Sequence, residues 1–375
     1  MKFDVAVLGL GAMGSATAYA LARRGARVVG FDRLEPPHGM GSTHGHTRII
    51  REAYYEHPLY VPLVRRSYEL WDALELECGE RLFLQTGGLW VGAETGALVS
   101  GASRSAREHG IKHEMLDPAG VRERFPAYRA RPGWVGLFEH RAGMLFPEKC
   151  ISAFLDGARK NGADLRLGSE VTAWSVSDRG VTVNTQSGAV SCDRLIVAAG
   201  AWLPQLAQRH GLTLPLEIER QMSHWFAPSS ADPKYGAGRS PVALFEFPDG
   251  GMFLTMGDEG HGVKCGKHHS GAPTSPEAVG RSVSDTENGE ARDILEQVMP
   301  GAGGRLLDAR VCLYTNTPDR HFIIDWIDRG RVLLLSPCSG HGFKFASGIG
   351  EVGAQLATDG KTWLDLAPFS LTRFR

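Results

Sequence analysis

The chain has 375 residues, of which 42% are hydrophobic and 22% are charged, and its formal net charge at pH 7 is −1. This ordinary globular composition supplies enough apolar residues for two hydrophobic cores. The near-zero charge disfavours a protein that binds nucleic acid or an anionic membrane surface, and no apolar run approaches the roughly 20 residues that span a bilayer.

Cysteine usage favours a reducing compartment. No signal peptide is recognisable, so we expect a cytoplasmic protein. The cysteines show neither a CxxC pair nor the spacing of a Cys/His metal site, so no metal is expected. They are scattered along the chain, at Cys78, Cys150, Cys192, Cys265, Cys312 and Cys338.

The first predicted element is a buried strand that leads into a glycine-rich turn. Phe3–Leu8 is short, apolar and β-branched, as strands of a parallel sheet are. Gly9 then permits a tight turn, Gly11 lets the backbone approach a pyrophosphate, and Gly14 lets the helix pack closely on the strand. Such a motif alone is weak evidence, so the elements after it decide its meaning.

The following elements complete a dinucleotide-binding unit. Ala12–Arg24 has the apolar spacing of a helix and stops before Gly25. Its N-terminal N–H groups can bind phosphates. Arg27–Phe31 is predicted to be the second strand, and Asp32 at its end can accept hydrogen bonds from a pair of ribose hydroxyls. The unit predicts a bound dinucleotide without separating NAD from FAD.

The rest of the chain predicts two kinds of sheet. Helices are predicted at Pro62–Glu77 and Ile151–Asn161. Strands that belong to the first sheet or lead into it are predicted at Leu82–Val91, Asp164–Leu167, Val171–Val176, Asp193–Trp202 and Val332–Ser336. Antiparallel strands, followed by a polar exposed segment at Pro273–Asp293, are predicted at Val242–Glu246, Met252–Thr255 and Gly262–Gly266.

A second glycine-rich strand-to-helix junction lies at Ser339–Gly350, before a helix at Glu351–Thr358. Small residues at the carboxyl end of a strand permit close approach of a cofactor. Beyond the first turn, the residues expected to contact the cofactor are Val171, Gly200, Gly340 and Gly342.

These elements predict an α/β fold: a Rossmann-type dinucleotide-binding domain built from separated segments, which the resemblance given below makes an FAD-binding domain, plus an antiparallel-sheet substrate domain (α+β). The boundaries that we expect for the first domain are residues 1–85, 141–215 and 318–375. The substrate domain is expected at residues 86–140 and 216–317.

Four segments carry a family resemblance: Gly9–Gly14; Pro36–His38 with Gly41–Arg51; Val311–Asp319 with His321–Asp325; and Ser339–Ser347. Together they resemble the monomeric sarcosine oxidase and N-methyltryptophan oxidase family of FAD-dependent amine oxidases, over essentially the whole chain. The resemblance implies a covalently attached FAD. It also implies oxidation of a secondary amino acid, with O2 reduced to hydrogen peroxide.

Cys312 lies in an apolar, strand-like segment, where a lone cysteine is ordinarily a small buried hydrophobe. The resemblance implies instead that its sulfur is attached to FAD. Cys338, near the second glycine-rich junction, is the alternative thiol, although the family motif does not align its flavin-linking cysteine there.

Arg51 and Lys344 are the candidate binding groups for a substrate carboxylate. Arg and Lys are usually solvated surface charges. Lys344, however, lies at a helix start, where a cation opposes the helix dipole and ordinarily has an anion to hold. Arginine can bind a carboxylate bidentately and lysine adds a point charge. The resemblance implies that both bind the substrate carboxylate, and that Lys344 also lies near the flavin.

The resemblance assigns further catalytic residues. Lys264, in a short apolar strand, matches the lysine that lies over the flavin and assists O2, since a fixed ammonium stabilises negative charge developing on oxygen. Lys267 is expected to be its surface counterpart. His44, Thr47 and Arg48 match the segment against the opposite flavin face, and His44 could equally be an ordinary loop histidine.

The substrate pocket differs from the family pattern. His268 and Tyr314 match residues that line the family's substrate site, though either could serve packing alone. Leu244 stands where sarcosine oxidase has a methionine, and Phe253 where the family usually has a tyrosine. His46 replaces an aspartate next to the motif's arginine. These departures leave the flavin chemistry unchanged and leave the substrate open.

We expect a monomeric oxidase of sarcosine or another N-methyl amino acid, with O2 as electron acceptor. A cyclic imino acid such as proline or pipecolate, or a glycated amino acid, remains an alternative substrate. A second enzymatic alternative is an FAD dehydrogenase with another electron acceptor. A third alternative, from a different class, is a non-catalytic flavin-binding protein. Retention of Cys312, Arg51, Lys264 and Lys344 together argues against the non-catalytic alternative.

Overall fold

A computed structural model describes residues 2–375 and contains both helices and sheets. Over that range the helices α1–α8 occupy, in chain order, Ala12–Arg23, Val61–Cys78, Ala97–Glu108, Pro118–Arg124, Pro147–Lys160, Leu203–Arg209, Asp285–Val298 and Ala346–Asp359. No helix in residues 2–375 combines the length and the apolar character that crossing a membrane requires.

The same range contains the strands β1–β20. In chain order they occupy Phe3–Leu8, Val28–Phe31, Arg48–Ile50, Phe83–Gln85, Gly88–Ala93, His113–Leu116, Trp134–Glu139, Gly143–Leu145, Asp164–Arg166, Val171–Ser177, Gly180–Thr185, Gly188–Val197, Glu217–Phe226, Val242–Glu246, Met252–Met256, Val263–His268, Pro273–Thr274, Leu306–Asn316, Ile323–Ile327 and Val332–Ser336.

The first sheet has eight strands around a parallel centre. β1 lies between β12 and β2, and β9 and β20 continue the parallel pairing on either side. These strands are buried and apolar because helices cover the sheet. α1 packs against α5 and α8. Gly350 of α8 permits this contact, since a Cβ there would lie 2.6 Å from the carbonyl carbon of Ala16.

The second sheet has nine strands and is mostly antiparallel. β14, β15 and β16 form the predicted antiparallel run, and β16 continues into β13. β13 pairs with β18 from Glu217↔Asn316 to Phe226↔Leu306, which places the long strand β18 beside the centre of the molecule. One pair, β5 with β14, is parallel. A smaller sheet of β3, β8 and β4 holds Arg48–Ile50.

The predicted α/β fold with an antiparallel-sheet second layer is confirmed. Every strand of the eight-stranded sheet lies in residues 1–85, 141–215 or 318–375, and every strand of the nine-stranded sheet lies in 86–140 or 216–317. The domain boundaries themselves stay a prediction.

Several predicted boundaries differ from those observed. The strand expected at Leu82–Val91 is interrupted before Gly87, whose φ is 75°. α5 begins at Pro147, four residues earlier than expected, because proline suits the first turn of a helix. α8 begins at Ala346 rather than Glu351, since its small residues pack on α1. Val171–Val176 was expected to return to the sheet as a strand of a βα unit; the observed strand β10 does join that sheet, but it pairs antiparallel with β11.

Candidate active site

One large cavity runs between the two sheets. At one end it is lined by the Gly9 turn and Asp32 of the first sheet, and at the other by Cys312 of β18 and Lys264 of β16. The expected cofactor contacts Val171, Gly200, Gly340 and Gly342 all line it. The structure therefore brings residues from Leu8 to Lys344 around one elongated space.

The nucleotide end is built as the glycine motif predicts. Gly9 has a φ of 87°, which glycine adopts readily. Gly14 does not line the cavity, but a Cβ there would lie 1.7 Å from the Gly9 carbonyl oxygen, so it serves the close packing of α1. The carboxylate of Asp32 accepts hydrogen bonds from the N–H groups of Leu10 (2.8 Å) and Leu34 (2.9 Å). Asp32 thus fixes the turn while its remaining lone pairs face the cavity.

Gly340 and Gly342 let the second glycine-rich junction approach the cavity closely. Gly340 has a φ of 76°, and a Cβ there would lie 2.6 Å from the ring of Tyr314. A Cβ at Gly342 would lie 1.8 Å from the carbonyl oxygen of Pro337. Larger residues at either position would displace the segment that holds Lys344.

Cys312 and Cys338 both line the cavity. Cys312 is buried on β18, paired across the sheet with Gln221. Burial raises the pKa of its thiol, while the nearby charges of Arg48 and Lys264 oppose that rise. The Cys338 sulfur accepts a hydrogen bond from the Thr315 N–H at 3.3 Å. Cys312 therefore combines a free sulfur with a cationic surrounding, which favours its thiolate form over that of an isolated buried cysteine.

Lys264 is a buried cation that contacts carbonyl groups. Only 3% of the residue is exposed. Its Nζ donates to the carbonyl oxygens of Gly45 (2.8 Å) and Thr47 (2.7 Å) and lies 5.2 Å from the ring centre of Trp225. Burial, and next the charge of Arg48, lower the pKa of Lys264 well below its ordinary value. Such a lysine stabilises negative charge that appears beside it.

The other residues of this segment have different positions. Arg48 lines the cavity and donates to the carbonyl oxygens of Thr47 and Ser42, at 2.8 Å each. His44 and Thr47 were expected against the flavin, but their side chains are buried outside the residues that line the cavity. Burial lowers the pKa of His44 to about 4, so its ring is neutral at pH 7. Thr47 reaches the site through its carbonyl oxygen because its side chain points away.

Arg51 lines the cavity but already has a carboxylate partner. Its NH2 lies 2.6 Å from both carboxylate oxygens of Glu56, and its guanidinium lies over the rings of Tyr54 (4.1 Å) and Tyr55 (4.7 Å). Burial would raise the pKa of Glu56, but the ion pair with Arg51 lowers it to about 2. The pair is therefore fully charged at neutral pH.

Lys344 faces the same part of the cavity without an ion-pair partner among residues 2–375. Its Nζ donates to the His341 carbonyl oxygen (2.6 Å) and lies 3.4 Å from the Tyr54 hydroxyl. Burial and the neighbouring charge of Arg51 lower its pKa well below the ordinary value. A buried ammonium without a counterion is costly, and an incoming anion would relieve that cost.

His268, Tyr314 and Leu244 line the cavity as expected. His268 Nδ1 lies 3.1 Å from the Tyr314 hydroxyl. Burial, followed by nearby cationic groups, lowers the pKa of His268 well below 6.5, so its ring is neutral. Strand alternation places Leu244 and Leu254 on the face of the large cavity and Phe253 on the opposite face, so the substrate-pocket role of Phe253 stays a prediction.

Phe253 instead reaches a second cavity that adjoins the first. Both cavities are lined by Tyr55, Glu56, Lys267, His268 and His341. Lys267, expected as a surface residue, lies at this junction and pairs with Glu290 at 2.7 Å. The substrate end of the large cavity therefore continues beyond Glu56 and His268.

Sequence reasoning missed three carboxylates around the site. Glu56 pairs with Arg51. The fully buried Glu139 accepts from the N–H groups of Glu52 and Ala53 (2.9 Å for the latter), which follow Arg51 in the chain. Glu148 accepts from Gly45 and His46, two residues of the segment that contacts Lys264. None belongs to a spacing motif, so only the three-dimensional fold shows them.

Comparison with known proteins agrees with this geometry. Residues 4–356 match the FAD dependent oxidoreductase family, and the chain belongs to that family. It is 38% identical over 376 residues to monomeric sarcosine oxidase of a Bacillus species, which covers 99% of this chain and 96% of that protein. It is 36% identical over 380 residues to N-methyl-L-tryptophan oxidase of Salmonella dublin, covering 100% of both.

Within the family, the chain is a member of the group to which these two oxidases belong, so the resemblance predicted from four segments is confirmed. Among solved structures, L-proline dehydrogenase from P. horikoshii superimposes with a TM-score of 0.86 at 23% identity, over 100% of this chain and 98% of that one. At that identity the likeness concerns the fold alone.

The cavity fits FAD. It offers a glycine turn and Asp32 at one end, where a nucleotide needs close backbone approach and hydroxyl recognition. At the other end it offers the free sulfur of Cys312 and the cations Lys264 and Lys344. The residues that would hold the cofactor are Gly9, Gly11, Asp32, Val171, Gly200, Cys312, Gly340, Gly342 and Lys344.

Proposed function

We propose that this protein is a flavin-dependent oxidase of secondary amino acids, with sarcosine or another N-methyl amino acid as substrate. The observation that supports this most is the buried ammonium of Lys344, which faces the cavity beside Arg51 and makes no ion pair within residues 2–375. A substrate carboxylate would supply the missing anion.

Binding of that carboxylate involves Glu56 as well. Only Nη2 of Arg51 contacts Glu56, while Nη1 donates to the Ala53 carbonyl oxygen at 3.4 Å, so an incoming carboxylate either shares the guanidinium with Glu56 or displaces it. Lys344 Nζ lies 3.4 Å from the hydroxyl of Tyr54, the residue whose ring lies under the Arg51 guanidinium, so Lys344 gives the substrate a first contact beside Arg51. Because Glu56 also lines the second cavity, open space lies on that side of its side chain.

The same charges favour a neutral substrate amine. Arg51 and Lys344 are cations, and a cation near an ammonium group lowers its pKa. His268 is itself neutral because of burial and adds no charge. The amine can therefore lose its proton without a dedicated base. Bound FAD would supply the redox chemistry, which is oxidation of the carbon–nitrogen bond of the substrate coupled to reduction of O2. Lys264 would stabilise the negative charge that develops on oxygen.

We further propose that FAD is attached covalently through Cys312. The support is a buried, cavity-lining sulfur between the charges of Arg48 and Lys264. Protein precipitated with acid should stay yellow, and its intact mass should exceed that of the polypeptide by one FAD. Cys312→Ala should release flavin on precipitation while Cys338→Ala should not. Loss of flavin from the unmodified protein in acid would disprove the attachment.

A second candidate is a substrate larger than sarcosine. The support is the second cavity, which continues from the substrate end past His268. Under this alternative, kcat/KM should be higher for proline, pipecolate, N-methyltryptophan or fructosyl-glycine than for sarcosine.

The decisive experiment assays these five compounds for flavin reduction without O2 and for peroxide with O2. Peroxide formed in equal amount to the amine oxidised supports the oxidase. Flavin reduction followed by electron delivery only to another acceptor indicates a dehydrogenase. The assay tests for this outcome because the chain shares its fold with a protein named L-proline dehydrogenase. Failure of every compound to reduce the flavin would contradict the proposal.

We also propose a monomer in the cytoplasm. The name of the Bacillus relative, monomeric sarcosine oxidase, supports the first point. All six cysteines are free thiols, which agrees with a reducing compartment. Light scattering of the purified protein tests the oligomeric state.

A further inference from the structure

The turn at residues 45–47 is the part of the structure that contacts Lys264. Gly45 and His46 both have positive φ angles, 96° and 64°. The Thr47 N–H donates to the Gly45 carbonyl oxygen at 2.7 Å, which closes the turn tightly. This geometry directs the carbonyl oxygens of Gly45 and Thr47 to the Lys264 ammonium.

The amide side of the same turn contacts Glu148. One carboxylate oxygen, Oε1, accepts from the N–H of Gly45 (2.7 Å) and of His46 (3.2 Å). Glu148 lies in the first turn of α5, where a negative charge is favoured by the helix dipole. It forms no ion pair with a lysine or arginine in residues 2–375.

Hydrogen bonds therefore connect Glu148, the turn at residues 45–47 and Lys264 in that order. A carboxylate binds the N–H side of the turn, and an ammonium binds the C=O side of the same turn. The peptide group between Gly45 and His46 takes part in both contacts, since its N–H donates to Glu148 and its carbonyl oxygen accepts from Lys264. Each of these two hydrogen bonds therefore polarises that peptide group in the direction that strengthens the other. Burial raises the pKa of Glu148, but its backbone donors and Arg48 lower it overall, so the carboxylate is charged at neutral pH.

His46 contributes to holding the turn. Its ring stacks on that of His261 at 3.8 Å between centres and meets the edge of Trp225 at 5.6 Å. Trp225 also lies under the Lys264 ammonium. A histidine where the family usually has an aspartate thus has a packing role in this chain. The fixed negative charge near the turn comes from Glu148.

We propose that Glu148 is a positioning residue for the reaction with O2, acting through the Gly45–Thr47 turn to hold Lys264 in place and in its charged form. This inference rests on the proposed role of Lys264 in the oxidase. It concerns the oxidative half-reaction alone, because Glu148 does not line the cavity in which the substrate would bind.

The test uses the flavin-loaded protein and two variants. Glu148→Gln keeps a hydrogen-bond acceptor and removes the charge, whereas Glu148→Ala removes both. In stopped flow, reoxidation by O2 should slow about tenfold in Glu148→Gln and more in Glu148→Ala. Anaerobic flavin reduction by substrate should change less than twofold. Asp156→Asn, which changes an exposed carboxylate on the same helix, is the matched control.

A readout that does not depend on turnover is the titration of Lys264, followed by NMR of protein labelled at the lysine side chain. The Lys264 signal is assigned by its loss in Lys264→Met. Arg48, Cys312, Glu148 and Arg310 act on this lysine, and His44, His46, Glu259 and Cys265 are further titratable groups that interact with it. Removing the Glu148 charge should lower its pKa by about one unit. The pH above which reoxidation declines should fall with it.

The double variant Glu148→Gln/Lys264→Met should reoxidise no more slowly than Lys264→Met alone. Normal reoxidation in both Glu148 variants would overturn the inference while leaving the role of Lys264 intact. Equal slowing of both half-reactions, with an unchanged Lys264 titration, would show a merely structural role and also overturn it. If Lys264→Met itself reoxidises normally, the proposed function of Lys264 fails first, and the inference fails with it.

Discussion

At the nucleotide end of the large cavity, the carboxylate of Asp32 accepts two backbone N–H groups, whereas at the substrate end the ammonium groups of Lys264 and Lys344 contact only carbonyl and hydroxyl oxygens. The first end is satisfied by its own chain. The second end keeps positive charge buried at a cost to folding. The difference indicates that the substrate end is arranged for anions that arrive during the reaction.

Arg51→Met removes the ion pair between Arg51 and Glu56 at the substrate end. It should have the largest effect, a loss of stability. It would leave Glu56 largely buried with no partner, and breaking a buried pair in this way costs about 3–5 kcal/mol. Because the Glu56 side chain keeps 16% exposure, we expect the lower end of that range. Chemical unfolding of the flavin-loaded protein measures the loss.

The double variant Arg51→Met/Glu56→Gln is the control for this prediction, and it should recover most of the lost stability. Unchanged stability in Arg51→Met alone would mean that Glu56 moves into solvent without penalty. The paired arginine and the unpaired lysine would then not differ in what they contribute to the free energy of unfolding.

Lys264→Met should have the next largest effect and act on kinetics. It keeps the length of the side chain and removes the charge, so reoxidation by O2 should slow about 10²-fold, as expected for one preorganised electrostatic group. Anaerobic flavin reduction should change little. Lys361→Met, at an exposed lysine, is the matched control. Reoxidation at the normal rate would show that this buried lysine is only structural, and the dehydrogenase alternative would gain weight.

Lys344→Met should have the smallest effect. It sharpens the comparison because it should not lower the stability of the protein, whereas Arg51→Met should. Losing a charge-assisted contact costs about 1.5–3 kcal/mol of substrate binding, so the Kd of a carboxylate substrate should rise at least tenfold. The matching amine without a carboxylate should be affected much less. Stability of the substrate-free protein should hold or increase, because no carboxylate in residues 2–375 loses a partner. A loss of stability equal to that of Arg51→Met would contradict the distinction.

The sequence predicted the nucleotide end more completely than the substrate end. Gly9, Gly14 and Asp32 lie within 24 consecutive residues, and each has a role that follows from local backbone geometry. Lys264 was predicted through the family resemblance, since nothing in its own segment distinguishes a buried lysine from a solvated one, whereas the position of Lys344 at a helix start gave a local indication as well. Their burial comes from long-range packing.

The directions of side chains show the same limit. Phe253 was expected in the pocket, but a shift of one position along a strand reverses the face of a side chain: Leu254 lies on the face of the large cavity, while Phe253 lies in the core and lines the second cavity. His44 and Thr47 were expected beside the flavin from their place in a motif; their side chains are buried and do not line the large cavity, and their contact with flavin stays a prediction. Glu56, Glu139 and Glu148 act through hydrogen bonds that no spacing rule describes.

The two ends of the cavity belong to different sheets, since the Gly9 turn follows β1 and Cys312 lies midway along β18. A single molecule bound at both ends would link the sheets as a cross-link does, and a covalent bond at Cys312 would make that link permanent at one side. Separate melting of the two sheets would then be suppressed. Cofactor loading would turn two folding units into one cooperative unit, visible as a single, sharper calorimetric transition in the loaded protein than in the apoprotein.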